Sequence, residues 1–180
     1  MLFFHPVRLL LYIFLWVVSA VLLGLTAARL YYTTHLPAFD PLNQGVDFYD
    51  PIVAELLFSS ILTLFWATWV IHVVVRNFEW GLVVSFASEL LGLSVVFVLW
   101  LVGAAIATNM WGDLHWCWIY QPCRLLTALV AFAWIGWITI LVLLVLSTLF
   151  VTVNRALYAP LHGRYDFRSH FRNAGRTVRV

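Results

Sequence analysis

The sequence predicts an all-α integral membrane protein: an antiparallel up-down bundle of four spanning helices, with N- and C-termini cytoplasmic. Three observations predict it. Four long uncharged runs cover the chain, residues 9–28 (20 residues), 56–75 (20), 90–112 (23) and 125–154 (30). A helix needs about 20 mainly apolar residues to cross the roughly 30 Å hydrocarbon core of a bilayer. Hydrophobic residues make up 64% of the 180 and charged residues only 10%, so no segment outside the runs can build a core of its own. The charges that remain are placed unevenly, and their placement sets the orientation.

Taken in order, the first span is expected at about 8–31. Thr26-Ala27-Ala28 resembles a signal-peptide cleavage site, but the apolar stretch before it exceeds the roughly 7–15 residues of a signal h-region, so this helix is expected to be retained. The second span, about 51–75, opens at Asp50-Pro51, which reads as an N-cap followed by proline at the first helical position. The third is expected at about 82–107, after a short turn carrying Arg76. The fourth, about 125–152, lies in a run of 30 residues. At about 1.5 Å per residue that run is longer than the membrane requires, so the helix should tilt or extend beyond it. Together these give one four-span domain over 1–158 and an Arg-rich tail over 159–180.

All ten basic residues are arginine. Arg8, Arg76 and the six from Arg155 to Arg179 fall on one side of the predicted topology; the other carries Asp40, Asp47, Asp50 and Asp113 against only Arg29 and Arg124. Basic residues near span ends stay cytoplasmic, which assigns both termini and the Arg76 turn to that side. Phe78, Trp80 and Tyr158 suit the cytoplasmic interface, while Tyr31, Tyr49, Trp111 and Trp116 suit the outer one.

Lipid does not drive helices together as water does, so packing draws on small residues and polar contacts. Ala20, Gly24 and Ala28 recur at four-residue spacing in the first helix; Ser88 and Gly92 do so in the third, and Ala128 and Gly136 sit eight apart in the fourth. These stripes are expected to hold the bundle together, with self-association as the alternative. Arg29 and Glu55, at the outer level, are expected to pair. Glu89 lies nine residues past Trp80, about 13 Å into the membrane if the helix runs from there. Ser19, Thr68 and Ser147 fall at a similar depth, and a polar layer of these groups would hold the carboxyl, protonated, since burial disfavours its charge. The alternative makes Glu89 a proton or ion relay.

Cys117 and Cys123, the only cysteines, lie in the segment expected outside, where oxidation is permitted. A disulfide is the leading reading; a metal site formed with Asp113 and His115 is the alternative, though the spacing matches no familiar zinc pattern. In the tail, Arg164, Arg168, Arg172 and Arg176 recur every four residues, with Arg179 beyond them. Such a cluster beside a span can contact anionic lipid headgroups, though plain positive-inside flanking would have the same composition. There is no nucleotide-binding glycine loop, metalloprotease-type histidine pair or serine-nucleophile motif, and the six histidines are scattered. Catalysis, cofactors, resident metals and nucleic-acid binding are therefore not expected.

Leu23-Gly24-Leu25-Thr26-Ala27-Ala28-Arg29, the opening Asp50-Pro51-Ile52-Val53-Ala54-Glu55-Leu56-Leu57, Cys123-Arg124 and Ala131-Phe132-Ala133-Trp134 resemble fungal MARVEL-domain proteins over roughly residues 5 to 158. The first outer segment has no claudin-type Trp-Gly-Leu-Trp motif, and the second has no large cysteine-rich loop of the tetraspanin kind. The resemblance implies a role in membrane apposition, vesicle trafficking or the organisation of lipid-rich membrane domains, and no catalytic residues. The expected function is a non-catalytic scaffold in the plasma membrane or in secretory or endosomal membranes. Its expected partners are membrane lipids, anionic lipids or sterol among them, other membrane proteins and further copies of itself. The alternative is a small transporter or channel subunit using Glu89.

Overall fold

The computed structural model describes residues 4–36, 45–76, 85–112 and 121–154. Four helices account for almost all of them: α1 (Phe4–Thr34), α2 (Pro51–Arg76), α3 (Phe86–Trp111) and α4 (Gln121–Asn154). All four are long and apolar enough to span a bilayer. Only about a third of each span is buried against its neighbours. The outward two thirds include Leu10, Phe65 and Leu91, each more than 60% exposed, a surface that hydrocarbon accepts and water does not. The chain is a multi-pass membrane protein.

The helix bounds agree with the sequence at α2 and shift elsewhere. α1 starts four residues earlier than expected, and α4 fills its whole apolar run and more. At 34 residues α4 would measure about 51 Å. α3 begins later than expected: Ser85 caps it in extended conformation, its hydroxyl oxygen accepting from the Ser88 amide. This start matters for the site, because it moves Glu89 into the helix's first turn.

α1 packs against α2 and α4, and α3 packs against the same two, leaving α1 and α3 on a diagonal. The core between them is built from Leu15, Leu22, Leu56, Leu93, Trp100 and Leu143, all fully buried. A second, smaller cluster of Val73, Phe86 and Val151 closes the end where α1 and α3 begin. At the opposite end the α1–α2 connection folds back on α1. The Phe48 amide donates to the Thr33 carbonyl (3.0 Å), and the Leu36 amide donates to Asp47 Oδ1 (2.8 Å). Gly45 enters this return with φ 74°, a left-handed conformation that a side chain would strain. The first satisfies a carbonyl that the end of α1 leaves unpaired, and the second gives the amide just beyond the helix an acceptor.

Among the described residues, three tryptophan–threonine bonds stitch neighbouring helices. Trp16 Nε1 donates to Thr68 Oγ1 between α1 and α2 (3.1 Å), Trp100 to Thr63 between α3 and α2 (2.8 Å), and Trp134 to Thr108 between α4 and α3 (2.8 Å). Each threonine hydroxyl passes its own proton to the carbonyl four residues back, at 2.7 Å in every case. The oxygen is thus left to accept the indole N–H, so every polar atom of the unit is satisfied inside hydrocarbon.

The small-residue stripes divide by helix. In α3 and α4, Gly92 and Gly136 do serve packing: a Cβ at Gly92 would overlap the Trp66 ring, and one at Gly136 the Trp100 ring. They do so by seating large aromatic rings. In α1 the expectation is corrected. Gly24 and Ala28 are exposed, and a Cβ at Gly24 would meet nothing within 4 Å. The periodicity at four places those residues together on the outward side of α1, while Leu15, Leu22 and Thr26 take the inward one.

Candidate functional site

Glu89 lies fully buried at the centre of a polar cluster drawn from three helices. From α1, Arg8 Nε donates to Glu89 Oε1 at 3.0 Å, and Arg8 Nη2 sits 2.6 Å from Oε2. Tyr12, one turn further along α1, donates its hydroxyl to Oε1 at 2.6 Å. From α4, Ser147 Oγ donates to the same oxygen at 3.2 Å. A guanidinium offers two N–H groups in a planar fork that matches a carboxylate, which is why arginine serves this geometry and lysine would not. Because α1 and α3 are diagonal neighbours, the ion pair crosses the bundle axis.

Aromatic rings wall off the pair. The Arg8 guanidinium carbon lies 4.9 Å from the Phe86 ring centroid and 5.9 Å from that of Tyr12, within range of cation–π attraction. Phe86 stacks at a tilt on Phe150 (5.0 Å), and with Val73 and Val151 this layer lies at the end of the bundle beside the pair. Arg8 itself is 2% exposed, so its charge is neutralised internally and not by water.

Of the expected polar layer, the structure brings Ser147 to Glu89 and leaves the other two elsewhere. Ser19 donates to the Leu15 carbonyl (2.8 Å), and Thr68 belongs to the Trp16 unit. The reason is depth. With α3 starting at Phe86, Glu89 lies about 4–5 Å from the helix start, a third of the distance that counting from Trp80 gives. The carboxyl is faced by a guanidinium as well as by hydroxyls, a partner that the expected polar layer did not include. Arg8 is the residue that sequence reasoning missed: counted as interfacial flanking charge, it is Glu89's partner. One signal pointed to it, since Arg8 lies about as near the start of α1 as Glu89 lies to the start of α3, with Tyr12 one turn further along the same face.

The expected Arg29–Glu55 pair is corrected. Arg29 Nη2 faces Asp50 Oδ2 at 3.5 Å, with its guanidinium carbon 6.0 Å from the Phe48 ring centroid. Glu55 lies one turn deeper and turns toward α3, where its Oε2 occupies the space left by Gly103. Its Oε1 accepts from Ser59 Oγ at 2.7 Å, and Oε2 has no hydrogen-bond partner among the described residues. Reach explains the exchange: Arg29, in the last turns of α1, meets the residue at the threshold of α2 before any residue inside it.

Cys123 lies in the first turn of α4; its expected partner Cys117 lies outside the described residues, as do Asp113 and His115. Arg164, Arg168, Arg172, Arg176 and Arg179 lie outside them as well. Among the described residues no group of three or more metal-ligating side chains converges. The cluster around Glu89 can do one thing well: hold three helices in register through a desolvated charge pair. Comparison with known proteins returns no match to this chain, whether with family models, curated proteins or solved structures.

Proposed function

We propose that this protein is a non-catalytic membrane organiser of the MARVEL-like kind, a rigid four-helix unit that packs laterally with lipids and other membrane proteins, including further copies of itself. The observation that carries the reading is the Arg8–Glu89 pair. A transport carboxylate must exchange its proton or ion with water, whereas this one is held by an arginine, a tyrosine and a serine inside an aromatic wall. The wide apolar outward surface supports a role exercised through contact with the surrounding membrane.

In this reading the helices run up-down with both termini cytoplasmic, following the distribution of arginine. A Cys117–Cys123 disulfide stiffens the second outer loop, and Arg164, Arg168, Arg172, Arg176 and Arg179 contact anionic headgroups, each contributing about 1 kcal/mol. The site of action is the plasma membrane or the secretory and endosomal membranes, in membrane-domain organisation, apposition or vesicle trafficking. Two measurements test the proposal. Purified protein in proteoliposomes should pass no proton or cation flux above empty vesicles; a flux abolished by Glu89→Gln would establish the relay reading in its place. A tagged chain in its own cell should redistribute when residues 159–180 are removed, and unchanged localisation would remove the tail's role.

A further inference from the structure

On the outward side of the α1–α2 pair, two surface grooves of about 430 and 630 Å³ adjoin, sharing Trp16, Thr68 and His72 in their walls. One continues along α2 to Val75 and Arg76, the last residue of the helix; the other runs the opposite way, past Phe65 to Ile61 and Leu23. From Ile61 to Arg76 the path follows 15 residues of helix, roughly 22 Å. One leaflet contributes about 15 Å of hydrocarbon, half of the roughly 30 Å core, so the path covers one leaflet and ends at its headgroup level.

We propose that this groove is a binding site for an anionic glycerophospholipid, with an acyl chain along Leu23, Phe65 and Trp16 and the phosphate beside Arg76. The chemistry is graded along its length. Midway, the Trp16–Thr68 bond and the Thr68–Leu64 bond leave no polar atom of that unit seeking a partner, so this part takes hydrocarbon. At its end, His72 and Arg76 stand one turn apart, and Arg76 is exposed. An apolar channel ending in a guanidinium complements a molecule with an apolar tail and a phosphate head. Both walls belong to membrane-spanning helices and look outward, so what reaches the groove comes from the bilayer. The site is separate from the arginine tail, and its failure would leave the scaffold reading to the flux experiment.

The test is photolabelling of the full chain in phosphatidylcholine nanodiscs doped with phosphatidylserine, using analogues of each lipid that carry the reactive group on the acyl chain. Labelled peptides are identified by mass spectrometry, and the outward α3 residues Leu91, Val95 and Val98 provide an internal reference. The phosphatidylserine analogue should label the segments 13–23 and 61–75, relative to that reference, about fivefold more than the phosphatidylcholine analogue does. That factor is what about 1 kcal/mol per arginine near a membrane surface provides. Arg76→Gln should bring the ratio to about one, while Arg124→Gln, near the start of α4, leaves it unchanged. Preserved labelling of the α3 face reports that each variant is folded, and because the tail enriches anionic lipid around every face, the ratio isolates the groove. Equal labelling by the two lipids overturns the proposal. So does a ratio that survives Arg76→Gln, or chain-to-chain cross-links showing a second copy seated there instead.

Discussion

Replacing Glu89 by glutamine should cost this bundle about 3–5 kcal/mol, because it keeps the shape of the side chain and removes only its charge. The remaining amide oxygen still accepts from Tyr12 and Ser147, so those contacts of 2.6 and 3.2 Å survive. What changes is Arg8, which at 2% exposure loses the carboxylate it faces. Arg8→Met inverts the problem, stranding the carboxylate, and should cost about as much. The double variant Arg8→Met with Glu89→Leu removes both charges and takes the acceptor from Tyr12 and Ser147; Ser147 can turn to the carbonyl four residues back, as Ser19 does, which leaves the Tyr12 hydroxyl at a cost of about 1–3 kcal/mol. With Glu89→Leu as the matching single variant, expected to cost at least as much as Glu89→Gln, the cycle closes with a coupling of at least about 3 kcal/mol, and adding Tyr12→Phe should bring stability close to that of the parent. Titration of bicelle-folded protein with dodecyl sulfate, followed by tryptophan fluorescence, reads these differences. Additive losses in the double variant, or a Glu89→Gln protein within about 1 kcal/mol of the parent, would falsify the reasoning, because the pair would then not act as one unit.

Other perturbations follow from the packing. Gly136→Ala and Gly92→Ala should each destabilise by about 1–3 kcal/mol, since the Trp100 and Trp66 rings occupy the space a methyl group needs. Gly24→Ala, into open space, should be neutral or stabilising by up to about 1 kcal/mol; the same titration separates the two classes, and equal effects would mean that α1 is packed differently. Thr63→Val leaves the buried Trp100 indole without its acceptor and should cost about 1–3 kcal/mol, whereas Thr68→Val, at the exposed Trp16 bond, should cost nearer the roughly 0.6 kcal/mol typical of interhelical bonds in membranes. Iodoacetamide should label neither Cys117 nor Cys123 until a reductant is added, as read by intact mass; labelling of unreduced protein would mean that the thiols are unbonded.

The features legible in the sequence were those that depend on the solvent. Four uncharged runs can cross a bilayer or nothing, and α2 lies where Asp50-Pro51 put it. Partner choice was less legible, because it depends on angles around a helix axis and on where a helix starts. Ser85 resets the start of α3, and a shift of a few residues was enough to exchange Ser19 and Thr68 for Arg8 and Tyr12 around Glu89. The Ala20-Gly24-Ala28 stripe shows the same limit: spacing at four puts residues on one face without saying which way that face looks. The tryptophan–threonine bonds left no local signature, since donor and acceptor are separated by 26 to 52 positions and either residue alone is common in a span.

These bonds and the ion pair together account for how the bundle coheres where the hydrophobic effect does not act between helices. Each tryptophan–threonine unit ties one adjacent pair, α1 to α2, α2 to α3 and α3 to α4. A chain of three such ties could still open like a fan, since none joins α1 to α3 or to α4. Glu89 closes it, holding Arg8 and Tyr12 of α1 and Ser147 of α4 on one carboxylate of α3. Cutting a single tryptophan–threonine tie should therefore weaken one seam. Cutting the carboxylate should loosen α1 from the far side of the bundle, and that loosening is measurable as faster amide exchange along the inward face of α1 in Glu89→Gln than in Thr68→Val.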